Sequence, residues 1–208
     1  MNITYTLKFY SEWHCGSGLA AGADLDALVI KDKNKLPYVP GKTIKGLIRE
    51  AVENILLLSY NGAINEENKK LFVKTFGNAN DEDWNMLEDV SKKDKEKKED
   101  YMRKGETFFT NAELDEELQN IINREKLESY LYRAVSSTAI AENGVAKEHS
   151  LRRMETVVPC DLTGTIIDVP DEFAKWVKDG LKYIKRLGQN RNRGLGRCDF
   201  IIGKEEKR

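Results

Sequence analysis

The sequence predicts an α+β domain of the ferredoxin-like class. Three observations carry this. Residues 3–9 alternate as a half-buried strand. A long amphipathic helix follows, starting near Lys42. The C-terminal third then runs extended segment, amphipathic helix, glycine-rich loop and last strand. Strands and helices in that order make a split β-α-β unit with insertions, a helix layer packed on an antiparallel sheet.

In the first strand, Ile3, Tyr5, Leu7 and Phe9 fall on one face and Thr4, Thr6 and Lys8 on the other, the period of a strand buried on one side. The small-residue loop His14-Cys15-Gly16-Ser17-Gly18 comes next, and residues 26–30 read as a short strand. Pro37-Tyr38-Val39-Pro40-Gly41 then leads into a helix. Its apolar residues are Ile44, Leu47, Ile48, Ala51, Val52, Ile55 and Leu56, an i, i+3, i+4, i+7 stripe that faces a core. A second helix is expected over residues 66–76. Residues 81–104 are rich in lysine and acid with sparse apolar anchors, a solvated helix or a partly disordered insertion. Residues 106–111 read as a strand and 115–123 as a short helix. Residues 133–150 have no apolar period and are expected to be a functional or mobile loop. Residues 151–159 and 161–169 read as a hairpin turning at Pro159. A helix over 171–187, the loop 188–196 and a strand over 198–202 complete the chain. The whole is read as one domain, residues 1–208, with a helical and charged insertion at about 60–130.

Of the 208 residues, 40% are hydrophobic, enough for one large core, and 33% are charged. No apolar run is long enough to span a bilayer, so no membrane partner is expected. The start MNITYTLKFY alternates where a leader's apolar core would be continuous. The three cysteines, Cys15, Cys160 and Cys198, are far apart and form no C-x-x-C pair. Reduced thiols and a cytoplasmic setting are expected. The net charge is −1, but it is segregated. Residues 31–49 and 175–208 are basic, whereas 82–100 hold a surplus of acids. Local patches, not the sum, decide phosphate binding.

Three groups of residues carry possible chemistry, and each has a plainer reading. Gly188, Gly194 and Gly196 flank Arg191 and Arg193, with Arg197 beyond. Glycine admits a phosphate close to the backbone and arginine grips its oxygens; the plain reading is a flexible helix-to-strand turn. Asp24 and Asp26 follow Gly22 and precede Lys42, Lys45 and Arg49, which lie at a helix start suited to phosphate. Two carboxylates beside cations suit RNA cleavage, which needs a base for a 2′-hydroxyl and positive charge for the phosphorane. Aspartate after glycine is equally a turn. Finally, Lys147, His149, Arg152, Arg153 and Glu155 sit on the unpatterned stretch and its exit, an RNA-facing loop or a solvated hairpin. The motif set excludes H-E-x-x-H, Walker and G-x-G-x-x-G chemistry. It nominates no metal-ligand set.

Together these segments resemble the RAMP superfamily of CRISPR-associated proteins, and in particular the backbone subunit of type III effector complexes. The most specific block runs from Gly22 through Asp24 and Asp26 to Asp32, then from Leu36 through Pro40, Gly41, Lys42, Thr43, Lys45 and Gly46 to Arg49. It is similar to that family's glycine-aspartate loop and its P-Y-I-P-G-S-S-L-K-G-x-x-R helix start, with Lys42-Thr43 where two serines are usual. His14 to Gly18 resembles an H-x-G segment. Glu142, Asn143 and residues 151–155 resemble the thumb, and 188–196 the C-terminal glycine loop. The resemblance implies a modified RNA-recognition-motif fold with inserted helices and a thumb-like hairpin or loop. It implies a guide-RNA-binding subunit whose copies stack head to tail with other RAMP subunits. It implies an endoribonuclease that cuts the target RNA with a loosely bound divalent ion, Mg2+, through a loop aspartate that falls on Asp26, with Asp24 as alternative. RNA contacts are expected from His14, Lys42, Thr43, Lys45, Arg49, Lys147, Arg152, Arg153, Arg191, Arg193 and Arg197. Two other readings stay open: a non-catalytic terminal subunit of the same complex, and a guide-precursor-processing endoribonuclease using a histidine such as His14.

Overall fold

The computed structural model describes residues 1–20, 24–62, 64–77 and 104–206, without the side chains of 204–206. Its strands are β1 (Asn2–Phe9), β2 (Phe108–Phe109), β3 (Tyr132–Ser137), β4 (Arg152–Val157), β5 (Asp161–Ile167) and β6 (Cys198–Glu206). Its helices are α1 (Gly41–Ser59), α2 (Glu66–Phe76), α3 (Glu116–Glu125) and α4 (Ala174–Tyr183). The main sheet has the order β2-β5-β1-β6, antiparallel throughout. With α1 between β1 and β2 and α4 between β5 and β6, this is the ferredoxin-like order. β3 and β4 form a separate two-stranded hairpin.

The alternation of β1 decides which face is covered. Ile3, Tyr5, Leu7 and Phe9 are buried, alongside Leu162 and Ile166 of β5 and Phe200 of β6. Ile44, Ile48, Val52 and Leu56 of α1 and Val177 and Leu181 of α4 complete this core. Each such side chain contributes ~1.5–3 kcal/mol on burial. The two helices approach closely at Gly180, where a Cβ would press on Val52. The other sheet face carries Thr4, Thr6, Lys8, Thr163 and Thr165, all at least partly exposed.

Several expected elements change. Residues 151–159 and 161–169 are extended but do not pair with each other. β5 enters the main sheet, because its alternating Leu162, Gly164 and Ile166 fit the buried face of β1, and β4 pairs with β3. Residues 133–137, the start of the stretch read as loop, belong to β3, which from Arg133 onward is exposed on both faces and so shows no apolar period. Residues 26–30 make only isolated bridges, Ala27 with Met154 and Val29 with Gly16. The strand expected over 106–111 shrinks to Phe108–Phe109, and Ala112 exchanges backbone bonds with Val39 instead. The expected insertion at 60–130 thus contains β2, an edge strand of the main sheet. The charged stretch 81–104 lies outside the described residues except for Lys104.

The helix expected over 171–187 ends at Tyr183. The chain then runs antiparallel to the start of β6, with Leu187 N–H on Gly196 O and Cys198 N–H on Lys185 O. Two of the loop glycines serve this packing. Gly188 (φ 97°) and Gly196 (φ 67°) have left-handed backbones, and a Cβ there would overlap the carbonyls of His14 and Leu187. Gly194 (φ 92°) meets nothing within 4 Å.

Two predictions follow from this packing. Gly188→Ala and Gly194→Ala carry the same left-handed strain, about 1–3 kcal/mol, but only Gly188→Ala adds an overlap with His14. Urea unfolding is expected to show the larger loss for Gly188→Ala; equal losses would mean that the loop gives way. The thiols supply the second. Burial pushes Cys198 up to about 12 and Cys160 up to about 11, and raises Cys15. At pH 8 all three stay protonated and poorly nucleophilic. Iodoacetamide at pH 8 is expected to label the folded chain slowly and the urea-unfolded chain fast at all three positions.

Candidate nucleic-acid interface

The candidate site gathers where β1 ends. In an antiparallel sheet that end adjoins the starts of β5 and β6. Phe9 N–H donates to Cys160 O at 3.1 Å and Tyr10 N–H to Arg197 O at 2.8 Å. The loop after β1, the chain leaving β4 and the glycine loop before β6 therefore meet. Trp13 exchanges backbone bonds with Val157 at 2.8 and 3.1 Å and is fully buried, stacked on Phe9 at 4.5 Å. Gln189 N–H donates to His14 O at 3.0 Å. Thr43 at the start of α1 also adjoins Cys15, where it offsets part of the rise that burial imposes on the thiol. Asn190 reaches Met154 of β4 at 3.8 Å.

The segment carrying the two aspartates lies along β4. Asp26 N–H donates to Arg153 O at 2.8 Å, and Arg153 N–H donates to Asp26 Oδ2 at 2.7 Å. The Asp26 carboxylate is exposed, yet its orientation is fixed by a backbone donor. Asp24, 91% exposed at its side chain, lies 4.0 Å from the Arg153 guanidinium. Arg153 thus meets both carboxylates, Asp26 through its backbone N–H and Asp24 through its guanidinium.

Beneath this surface lies Glu155, 8% exposed. Its Oε2 accepts Val29 N–H at 3.0 Å and its Oε1 accepts Lys31 Nζ at 2.7 Å. Its own N–H donates to Ala27 O at 3.0 Å. Its carbonyl receives His14 Nδ1–H at 2.6 Å; a carbonyl only accepts, so Nδ1 carries the proton. The Lys31 ammonium also sits 3.9 Å from the Tyr132 ring centroid, on β3. Burial, then the charges of Glu155 and Asp32, push the Tyr132 phenol well above its ordinary range. Leaving a buried carboxylate such as Glu155 without its donors costs more than the about 1–3 kcal/mol of a neutral acceptor.

The expected RNA contacts divide. His14, expected to contact RNA, is fully buried in this chain with its imidazole on the Glu155 carbonyl, so it ties the site together from inside. Lys42 is exposed at the start of α1 and Thr43 faces Cys15. Lys45 and Arg49 lie 200–240° around α1 from Thr43, at ~100° per residue, and belong to another cluster. Arg49 lies 5.7 Å from the Phe72 ring, and burial with the nearby charges of Arg49 and Lys104 lowers the Lys45 pKa. Arg191 and Arg193 are exposed on a short 3-10 turn beside open Gly194. Arg197 lies 5.8 Å from the Tyr10 ring, on the face of the sheet away from the helices. Arg152 is exposed on β4, and Lys147 and His149 on the connection between β3 and β4.

Sequence reading missed Lys31 and Glu12, and it placed Glu155 on the exit of an exposed loop rather than in a buried contact. Lys31 and Glu155 form the contact above, and Glu12 bonds both Arg133 of β3 at 2.9 Å and Thr156 of β4 at 2.8 Å. One signal pointed to Glu155. It shares a strand face with Val157, a carboxylate where burial is due.

Two exposed carboxylates suit a hard cation held loosely through water and RNA oxygens, rather than a cage built by protein alone. Among the described residues no group of three or more histidine, cysteine or acidic side chains could enclose a metal. Asp26, with Asp24 beside it, would be the residues to hold such an ion. Among the described residues no helix is long and apolar enough to cross a membrane.

The fold has close counterparts. A chain of the type III-B Cmr-beta complex bound to cognate target RNA superposes with a TM-score of 0.64 at 11% identity, covering 97% of each chain. A chain of the same complex in its apo state gives 0.66 at 12% identity, covering 99% of this chain and 98% of that one. No curated protein matches the sequence. The RAMP superfamily pattern, by contrast, matches residues 6–199, and with the ferredoxin-like sheet built around β1 it establishes that this chain belongs to the RAMP superfamily.

Proposed function

We propose that this protein is a backbone subunit of a type III CRISPR effector complex, holding the guide RNA and cutting the paired target RNA at Asp26. One observation carries the reading: an exposed carboxylate, oriented by the backbone amide of Arg153, stands where the glycine loop reaches β4, with the Arg153 guanidinium beside the neighbouring Asp24. The structural counterparts described as type III-B Cmr-beta chains, one bound to target RNA, support the setting.

The chain's own groups fit RNA scission by the neighbouring 2′-hydroxyl. Asp26 is placed to accept or orient that hydroxyl's proton, because its Oδ2 is pinned at 2.7 Å to Arg153 N–H while the carboxylate remains exposed. The Arg153 guanidinium offers positive charge to the phosphorane. A divalent ion, Mg2+, would supply further charge neutralisation and a lower pKa for a coordinated oxygen. Lys42, Arg191 and Arg193 are exposed donors at a helix start and a glycine turn, suited to the guide backbone. Copies joined head to tail make a heterologous contact, which builds an open array along a long guide. The largely exposed hairpin connection, residues 138–151 with Lys147, is the segment suited to meet a neighbouring copy. The processing reading fares worse, because a base at His14 would need an accessible imidazole. A terminal subunit would share the fold and lack the cut.

Two measurements test this in the complex reconstituted with guide RNA. Asp26→Ala is expected to slow target cutting at least about a hundredfold and leave guide binding unchanged. Cutting retained in Asp26→Ala but lost in Asp24→Ala moves the role to Asp24; retention in both rejects the nuclease reading for the terminal one. Arg191→Ala and Arg193→Ala are each expected to weaken unrelated RNAs alike and to reduce the salt slope of binding by about one. An unchanged slope in both would take the RNA off this loop.

A further inference from the structure

We infer that Glu155 is a positioning residue for the aspartate loop, clamping it to the root of the β3–β4 hairpin through Lys31. The inference rests on the nuclease reading above and adds to it the group that sets the geometry of Asp26.

The geometry is specific. Residues 26–31 have no sheet of their own; Ala27 and Val29 make single bridges. Such a segment keeps a fixed course only if something holds it. Asp26 and Ala27 are held by backbone bonds to Arg153 and Glu155. Val29 and Lys31 are held by the two carboxylate oxygens of Glu155, at 3.0 and 2.7 Å. Lys31 is gripped from the other side by the Tyr132 ring at 3.9 Å. The same glutamate's carbonyl takes the His14 imidazole at 2.6 Å, which ties the loop after β1 to the clamp. One side chain therefore fixes the aspartate segment to both hairpin strands, and its neighbour Arg153 contacts both aspartates.

A carboxylate is needed here for two jobs at once. It must accept a backbone N–H and balance an ammonium that is 29% exposed at its side chain. Glutamine keeps the first and loses the second. Glu155→Gln thus leaves the segment attached at Val29 but removes the charge that holds Lys31. Asp26 would then lose its fixed aim without losing its carboxylate. Small displacements of a reacting group cost about a hundredfold in rate.

The test uses full-length protein in the reconstituted guide complex, with Glu155→Gln, Lys31→Met, Lys31→Arg and Asp26→Ala. Single-turnover target cutting, target affinity, guide loading, melting temperature and amide hydrogen exchange over residues 26–29 are measured. Glu155→Gln and Lys31→Met are expected to cut roughly ten- to hundredfold more slowly, with target affinity and guide loading unchanged. Exchange should rise selectively over 26–29, and Lys31→Arg should restore most of the rate. If Glu155→Gln does not fold, Lys31→Met reads the same contact from its more exposed partner. Wild-type cutting by both variants, with Asp26→Ala inactive, overturns the positioning role and leaves the nuclease reading standing. A fall in rate that only follows a fall in melting temperature and guide loading overturns it in favour of a structural role. If Asp26→Ala and Asp24→Ala both still cut, the nuclease reading fails, and the positioning role fails with it.

Discussion

The antiparallel pairing of β1 with both β5 and β6 is the constraint from which the rest follows. It runs from Ile3–Ile166 to Lys8–Asp161 on one side and from Asn2–Glu206 to Phe9–Cys198 on the other. Because neighbouring strands run opposite ways, the end of β1 must lie beside the beginnings of its two partners. Three connections far apart in sequence are thereby delivered to one place. The covered face is set by the same pairing, since the side chains of a strand alternate and a slip of one residue would turn Leu7 and Phe9 to solvent. Core and site thus depend on one register.

That end of the sheet is built more from backbone than from side-chain chemistry. Trp13 and Val157, His14 and Gln189, Leu187 and Gly196 are all joined by main-chain bonds. The close approaches need glycine at 188 and 196, where a side chain would strike a carbonyl. These glycines hold the chain against itself, and the loop keeps only Gly194 open beside Arg193. The division explains why a glycine-rich stretch can be rigid at its roots and open at its tip.

Buried polarity sits where segments without regular structure must be held. The described polar residues that are buried include His14, Glu155 and Thr156, all around the hairpin root. A hydrophobic contact there would bind the segments without fixing their direction, whereas hydrogen bonds to Val29, Lys31 and His14 fix it. Glu12 plays a parallel part between β3 and β4. Two acidic residues thus tie a hairpin that shares no sheet with the rest of the domain.

The sequence by itself determined the elements whose periodicity is forced by burial on one side. β1, α1 and the first turns of α4 were legible for that reason, and so was the ferredoxin-like order they imply. The exposed loop aspartates, the glycine loop and the helix start were legible as residue types. Only the tertiary structure decided which of them meet. It placed β5 on β1 rather than on β4, because the alternating faces of β1 and β5 match each other, whereas β4 passes from exposed to buried along its length without alternating. It built β3 from residues that show no pattern, since a strand wetted on both faces imposes none. It set Arg49 against Phe72 of α2 and buried His14, because spacing gives the face a side chain shares but not which element docks against that face. It drew Lys31, Glu155 and His14 together across some 140 residues, a contact that follows from where strands dock and that no local stretch of sequence contains.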